Sequence, residues 1–183
     1  MKSSFLKGSI VAILLLLFLI SAASLVSADN SSSSDLSIET LSKGGITIQY
    51  PSNWGNSEST SNYSVMAISK IDSIDSFGVG QVNIQVEKNS YEGDFYTFVE
   101  DTYKKMEKDS SFQLVSSGEV ALGGMNAIEY IYTSNQNGVE KEHKAIWFEK
   151  GGQAYVIMYS APIEEFENNL YVFDYVLSGI NIT

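Results

Sequence analysis

His143 is the one imidazole in the chain, and Glu140 and Glu142 lie within three residues of it. An imidazole with two carboxylates in so short a span has the ligand types of a zinc-type site. On a strand, however, His143 shares its face with Lys141, Ala145 and Trp147, while Glu140 and Glu142 point the other way. Asp72 and Asp75, interleaved with Ser73 and Ser76, make an oxygen-rich loop that could take Ca²⁺, yet their spacing matches no EF-hand. Asp72, Asp75 and His143 are therefore the metal candidates. The expectation is that no cofactor is bound, with a divalent cation as the alternative. A catalytic serine needs a base, and the single His stands on a strand with no nucleophile elbow elsewhere. No phosphate loop or dinucleotide fingerprint is present. Paired carboxylates stay open, because 22 acids offer too many pairs to choose among. Aromatic residues give a different hint. Tyr130, Tyr132, Trp147, Tyr155 and Tyr159 fall close together, and an exposed Tyr/Trp face would bind a partner. Sheets also favour aromatic residues, so core packing is the competing explanation.

The elements that must position these residues follow from periodicity. Ile46 to Tyr50 alternates as a strand, Pro51 ends it, and Trp54 needs cover. Val65 to Ile71 is strand-like. Val79 to Glu87 alternates most clearly, with Val82, Ile84 and Val86 on one side. Phe95, Phe98, Val99, Thr102 and Met106 form the apolar stripe of a first helix over 94–108. Strands follow over 112–120, 125–133, 139–149 and 154–160, the last three forming a meander with Asn137-Gly138 as a hairpin turn. Ser160-Ala161-Pro162 opens a second helix whose Phe166, Leu170, Phe173 and Leu177 face the sheet. Ile180 to Thr183 is a short extended tail. The sum is an α+β domain: an antiparallel sheet of about six to seven strands, with a C-terminal meander, flanked by two main helices.

Residues 1–28 have the three parts of a secretory signal peptide. A basic start carries Lys2 and Lys7, an apolar run spans Ile10 to Ile20, and Val26-Ser27-Ala28 offers small residues for cleavage. An uncleaved N-terminal anchor is the rival reading. Both place the folded part outside the cytoplasm, secreted or at the cell surface. Residues 29–43, with the run Ser31 to Ser34, read as a flexible linker, and 44–183 as a single domain. Asn30, Asn62 and Asn181 each begin a glycosylation acceptor triplet. The chain has no Cys and no Arg, and its formal net charge is −11. Loss of residues 1–28 removes two Lys and no acid, leaving 9 Lys against 22 acids, a net of −13. Such a surface repels phosphate backbones, so nucleic acid is not an expected partner, and membrane contact is expected only through the N-terminal segment.

Several segments resemble one known family. Gly45-Ile46-Thr47-Ile48-Gln49-Tyr50-Pro51-Ser52-Asn53-Trp54 resembles the start of PsbP-like domains, and Leu122-Gly123-Gly124-Met125-Asn126-Ala127 resembles their mid-domain turn. Ala154 to Tyr159, Ala161-Pro162, Phe166, and Phe173 to Ile180 resemble their closing strand and helix, although Gly179 stands where the family often has Phe. The resemblance implies the PsbP/Mog1-like fold, an α/β/α sandwich. It also implies a function closer to binding or assembly than to catalysis, since that fold hosts a photosystem II extrinsic subunit, a Ran-binding protein and many secreted prokaryotic proteins. The expected function is a non-enzymatic extracytoplasmic module whose partner is an envelope or extracellular protein. A small-ligand or divalent-cation binder of the envelope is the alternative. Fold alone fixes neither.

Overall fold

Strict alternation along two neighbouring strands sets the architecture. In β8 (Val139–Lys150), Ala145 and Trp147 face one side while Ile146 and Phe148 face the other, and all four are buried. In β9 (Gln153–Pro162), Ala154 and Val156 go with the first side, and Tyr155, Ile157 and Tyr159 with the second. A strand buried on both faces needs a layer on each side of the sheet. The computed structural model describes residues 36–136 and 138–183. The signal-peptide or anchor reading, the linker through residue 35, and Asn30 lie outside those residues.

Ten strands and two helices occur in the described residues. A small sheet pairs β1 (Ile38–Lys43), β2 (Ile46–Pro51) and β10 (Asn181–Ile182) in the order β1-β2-β10. The main sheet adds β3 (Trp54–Asn56), β4 (Ser64–Lys70), β5 (Asn83–Asn89), β6 (Gln113–Leu122) and β7 (Met125–Gln136). Its order is β3-β4-β5-β9-β8-β7-β6, seven strands with every pair antiparallel. The meander holds four consecutive strands, β6 to β9, one more than expected.

Helix α1 (Phe95–Met106) buries Phe95, Val99 and Tyr103, spaced four apart, against one face of the sheet. Its N-cap Asp94 accepts the Thr97 N–H at 2.8 Å. Helix α2 (Ile163–Gly179) buries Phe166, Val172, Phe173 and Val176 against the other face. The stripe of α2 is turned slightly from the expected one: Leu170 and Leu177 lie at its margin, only partly buried. Pro162 ends β9 and caps α2 rather than entering its first turn.

One boundary is corrected. Ile38–Lys43 lies in the segment read as linker, but it forms β1 and pairs along all six residues with β2. The two-residue turn Gly44-Gly45 makes this possible. Both glycines have positive φ, 59° and 80°, which is the backbone of a tight hairpin and strained for any residue with a Cβ.

Candidate functional site

The two helices cover the sheet unequally. Helix α2 has 17 residues, α1 only 12. Beyond α1, on the same face, the sheet carries polar side chains instead of core: Gln81 leading into β5, Asn83 and Gln85 on β5, Ser160 on β9 and Lys141 on β8. They floor a cleft of about 740 Å³. The loop with Glu58, Ser59 and Thr60 walls one side, and the loop with Asp75, Phe77 and Val79 another. Asp75 Oδ1 accepts the backbone N–H groups of Phe77 (2.8 Å) and Val79 (3.1 Å), which fixes that turn. Phe77 is left 83% exposed at the rim.

Lys141 is the unusual member. It is only 4% exposed. Among the described residues its ammonium has no ion-pair partner and no hydrogen-bond acceptor. Burial pushes its pKa below the ordinary lysine value. The floor amides differ in what they have free. Gln85 is held by Ser59 (2.8 Å) and Glu87 (3.1 Å), and Asn83 Nδ2 donates to the Gly80 carbonyl (2.9 Å). Asn83 Oδ1 and the Gln81 amide have no partner among the described residues.

His143 lies on the same face of β8 as Lys141, beside the floor residue Ser160, and is 1% exposed. Its Nδ1 is 2.7 Å from Ser160 Oγ and its Nε2 is 2.9 Å from Ser134 Oγ. Its ring stacks on Tyr132 at 4.6 Å. Burial, helped by the charge of Lys141, pushes its pKa down to about 4. The imidazole is thus neutral at pH 7, one nitrogen donating and the other accepting. A Ser–His contact exists, but the group orienting the imidazole is a hydroxyl rather than a carboxylate, and so acidic an imidazolium makes a weak base near neutrality.

The expected site residues do not converge. Asp72 is 3.3 Å from Lys70 Nζ, which is also 3.4 Å from Glu165 of α2. Asp75 serves its own turn, and His143 is enclosed between Ser160 and Ser134 on the cleft's own face of the sheet. Among the described residues, no three His, Asp or Glu side chains are grouped to hold a metal. The aromatic partner face is corrected as well. Tyr132, Trp147, Tyr155 and Tyr159 are buried, the first two under α1 and the last two under α2. Tyr130 is half-buried and stacks on Tyr103 of α1 at 3.6 Å. Trp147 Nε1 donates to Tyr103 Oη at 2.9 Å. These rings are core because a sheet with helices on both faces leaves little of either face to solvent. Of the acceptor triplets, Asn62 and Asn181 are exposed. The cleft itself had a legible signal: Lys141 has the parity of Ala145 and Trp147, which is the inward side of β8.

The fold has solved counterparts. The cyanobacterial PsbP of Synechocystis sp. PCC 6803 superposes with a TM-score of 0.57 at 14% identity, over 83% of this chain and 96% of that one. LpqN of Mycobacterium tuberculosis, described as involved in cell envelope biogenesis, gives 0.56 at 16% identity over 81% and 92%. PA94 of Pseudomonas aeruginosa, a protein of unknown function, gives 0.52 at 10% identity over 78% and 94%. At such identities the likeness is one of fold. No curated protein matches the sequence. The description of PsbP-like proteins, by contrast, fits residues 20–178, nearly the whole length, and by that match the chain belongs to the PsbP-like protein family.

Proposed function

We propose that this chain is a non-catalytic, extracytoplasmic binding module, and that the cleft beyond α1 receives its partner or ligand. The observation that carries the reading is Lys141: a side chain 4% exposed whose ammonium, unpaired among the described residues, opens on the floor of a polar cleft. A charge that keeps only part of its hydration costs free energy unless something compensates it. An anionic group arriving from outside would do so. The N-terminal segment supports a place outside the cytoplasm, and LpqN, a fold neighbour, is described as belonging to cell envelope biogenesis. The partner is then an envelope or extracellular molecule. A resident cation has less support, because Asp75 is bound to backbone amides and His143 to two hydroxyls.

Photo-crosslinking in whole cells tests this. A crosslinking side chain at Val139, on the cleft rim, is compared with one at Tyr171, exposed on α2. Adducts from position 139 that disappear when Lys141→Met is added support the cleft. Adducts from 171 alone, or none from either, overturn it.

A further inference from the structure

We infer that the cleft recognises a uronic-acid unit: a sugar whose carboxylate pairs with Lys141 Nζ, whose hydroxyls meet the floor amides, and whose apolar face lies on Phe77. The inference rests on the cleft being a binding site and adds its chemistry. Three features of the cleft choose the class. First, the charge to be met is a single ammonium. A phosphate dianion would be poorly matched by one Lys, and this chain has no Arg to grip it bidentately. Glu58 and Asp75 at the rim would repel the second charge further. A carboxylate brings one negative charge. Second, the other free polar groups of the floor are neutral and of both senses. Asn83 Oδ1 accepts, and Gln81 offers both a carbonyl and an amino group, which suits hydroxyls that donate and accept at once. Third, Phe77 is 83% exposed, yet its turn is fastened by two hydrogen bonds from backbone to Asp75. An aromatic ring presented from a fastened turn at the edge of a polar cleft fits the C–H face of a pyranose ring, burying apolar area with little backbone ordering. The apolar slot beneath α1, about 480 Å³ and sharing Met158 with the cleft, is lined by Phe98, Tyr103 and Trp147, and its one cation, Lys105, is exposed on α1 rather than set in the sheet.

The test is a titration of the purified full chain, followed by amide NMR, with sodium D-galacturonate, sodium D-glucuronate, D-galactose and trigalacturonate. Saturable shifts centred on Lys141, Asn83 and Ser160, with D-galactose at least tenfold weaker, support the inference. Lys141→Met and Phe77→Ala are each expected to weaken uronate binding at least tenfold. Phe77 is exposed, and its variant keeps the fold, so the test survives should the Lys141 variant misfold. Tighter binding of the trimer, against the repulsion its extra charges meet, identifies a polymeric glycan as the source, and equal or weaker binding identifies the free sugar. No saturable binding of either uronate, equal binding of D-galactose, or insensitivity to both substitutions overturns the inference. A Lys141-dependent adduct at Val139 alongside absent uronate binding would overturn the uronate alone and leave the binding cleft standing. Absence of both would remove both.

Discussion

Lys141 and His143 lie two residues apart on the inward side of β8, and each departs from its ordinary ionisation. Lys141 is a mostly buried side chain with an unpaired ammonium at the cleft floor, and burial lowers its pKa, so removing the charge relieves the fold. Lys141→Met keeps the stem volume and discards the ammonium. It is expected to raise unfolding stability by about 1 kcal/mol, as replacement of uncompensated buried charge tends to do. Urea denaturation of both proteins at pH 7 measures this; a large loss instead would mean that Lys141 has a structural partner. His143 gives a pH signature with a definite sign. Its folded pKa is about 4 against an ordinary 6.5, so the unfolded chain binds its proton first as the pH falls. The contribution is intact above 6.5 and lost progressively between 6.5 and 4. The loss due to this residue between pH 7 and pH 5 comes to about 2 kcal/mol. His143→Gln keeps polar atoms for Ser134 and Ser160 but does not titrate. Its stability is expected to fall less than that of the unchanged protein over the same interval, and parallel falls would count against the assignment.

At the scale of elements, the hairpin of β1 and β2 is the consequential feature. β2 supplies Ile46, Ile48 and Tyr50 to the core, and β1 covers one of its edges, with Leu41 packed on the core behind. A chain shortened to begin at residue 44 would leave that edge bare. It is expected to be less stable than one beginning at residue 36 by roughly 2 kcal/mol, from Leu41 and a ladder of hydrogen bonds. It should also associate more readily, since an unpaired edge invites another strand. Thermal melts and sedimentation of the two shortened chains decide it; identical behaviour would show β1 to be dispensable. The difference from the sequence reading has a physical source. Ser-rich composition drew attention to flexibility, while the Gly44-Gly45 turn signal, flanked by Lys43 and Ile46, was the stronger cue. Where the pattern repeats over many residues, as in β5, α1 and the meander, sequence and structure agree on the element and largely on the inward face, though in α1 the buried Tyr103 stands outside the expected stripe and Thr102 lies at its margin. The cleft was harder to see. Its residues come from β5, β8, β9 and two loops, and only the sheet order β5-β9-β8 brings them together. The choice between partner face and core for the Tyr and Trp residues has the same source: parity tells which residues share a face, but not which face a helix will cover.

For the whole molecule, the deciding quantity is the contrast between a chain of net charge −11 and one cationic group sunk in its cleft. An anionic ligand approaching from a distance meets repulsion summed over the surface. Close in, it meets attraction from Lys141 at the cleft floor, where the two charges would be in contact. These two terms respond differently to ionic strength. Surface charges act over about 30 Å at 0.01 M and about 8 Å at 0.15 M, whereas buried pairs are screened much less. Added salt should therefore weaken the repulsion more than the attraction. Galacturonate affinity is expected to rise, by about two- to threefold, as NaCl goes from 0.01 to 0.15 M, the reverse of what a basic groove gives. D-galactose, being neutral, provides the baseline and should not respond. A steep fall in uronate affinity with salt would locate the attraction on exposed lysines rather than in the cleft. The expected rise also bears on selectivity: a ligand carrying two or three charges meets the same field two or three times over, with one ammonium to offset it. The acidic surface would thus act with the lone Lys141 to favour singly charged ligands, and galacturonate should bind more tightly than the dianionic galactarate at 0.01 M salt, with the gap narrowing as salt is added.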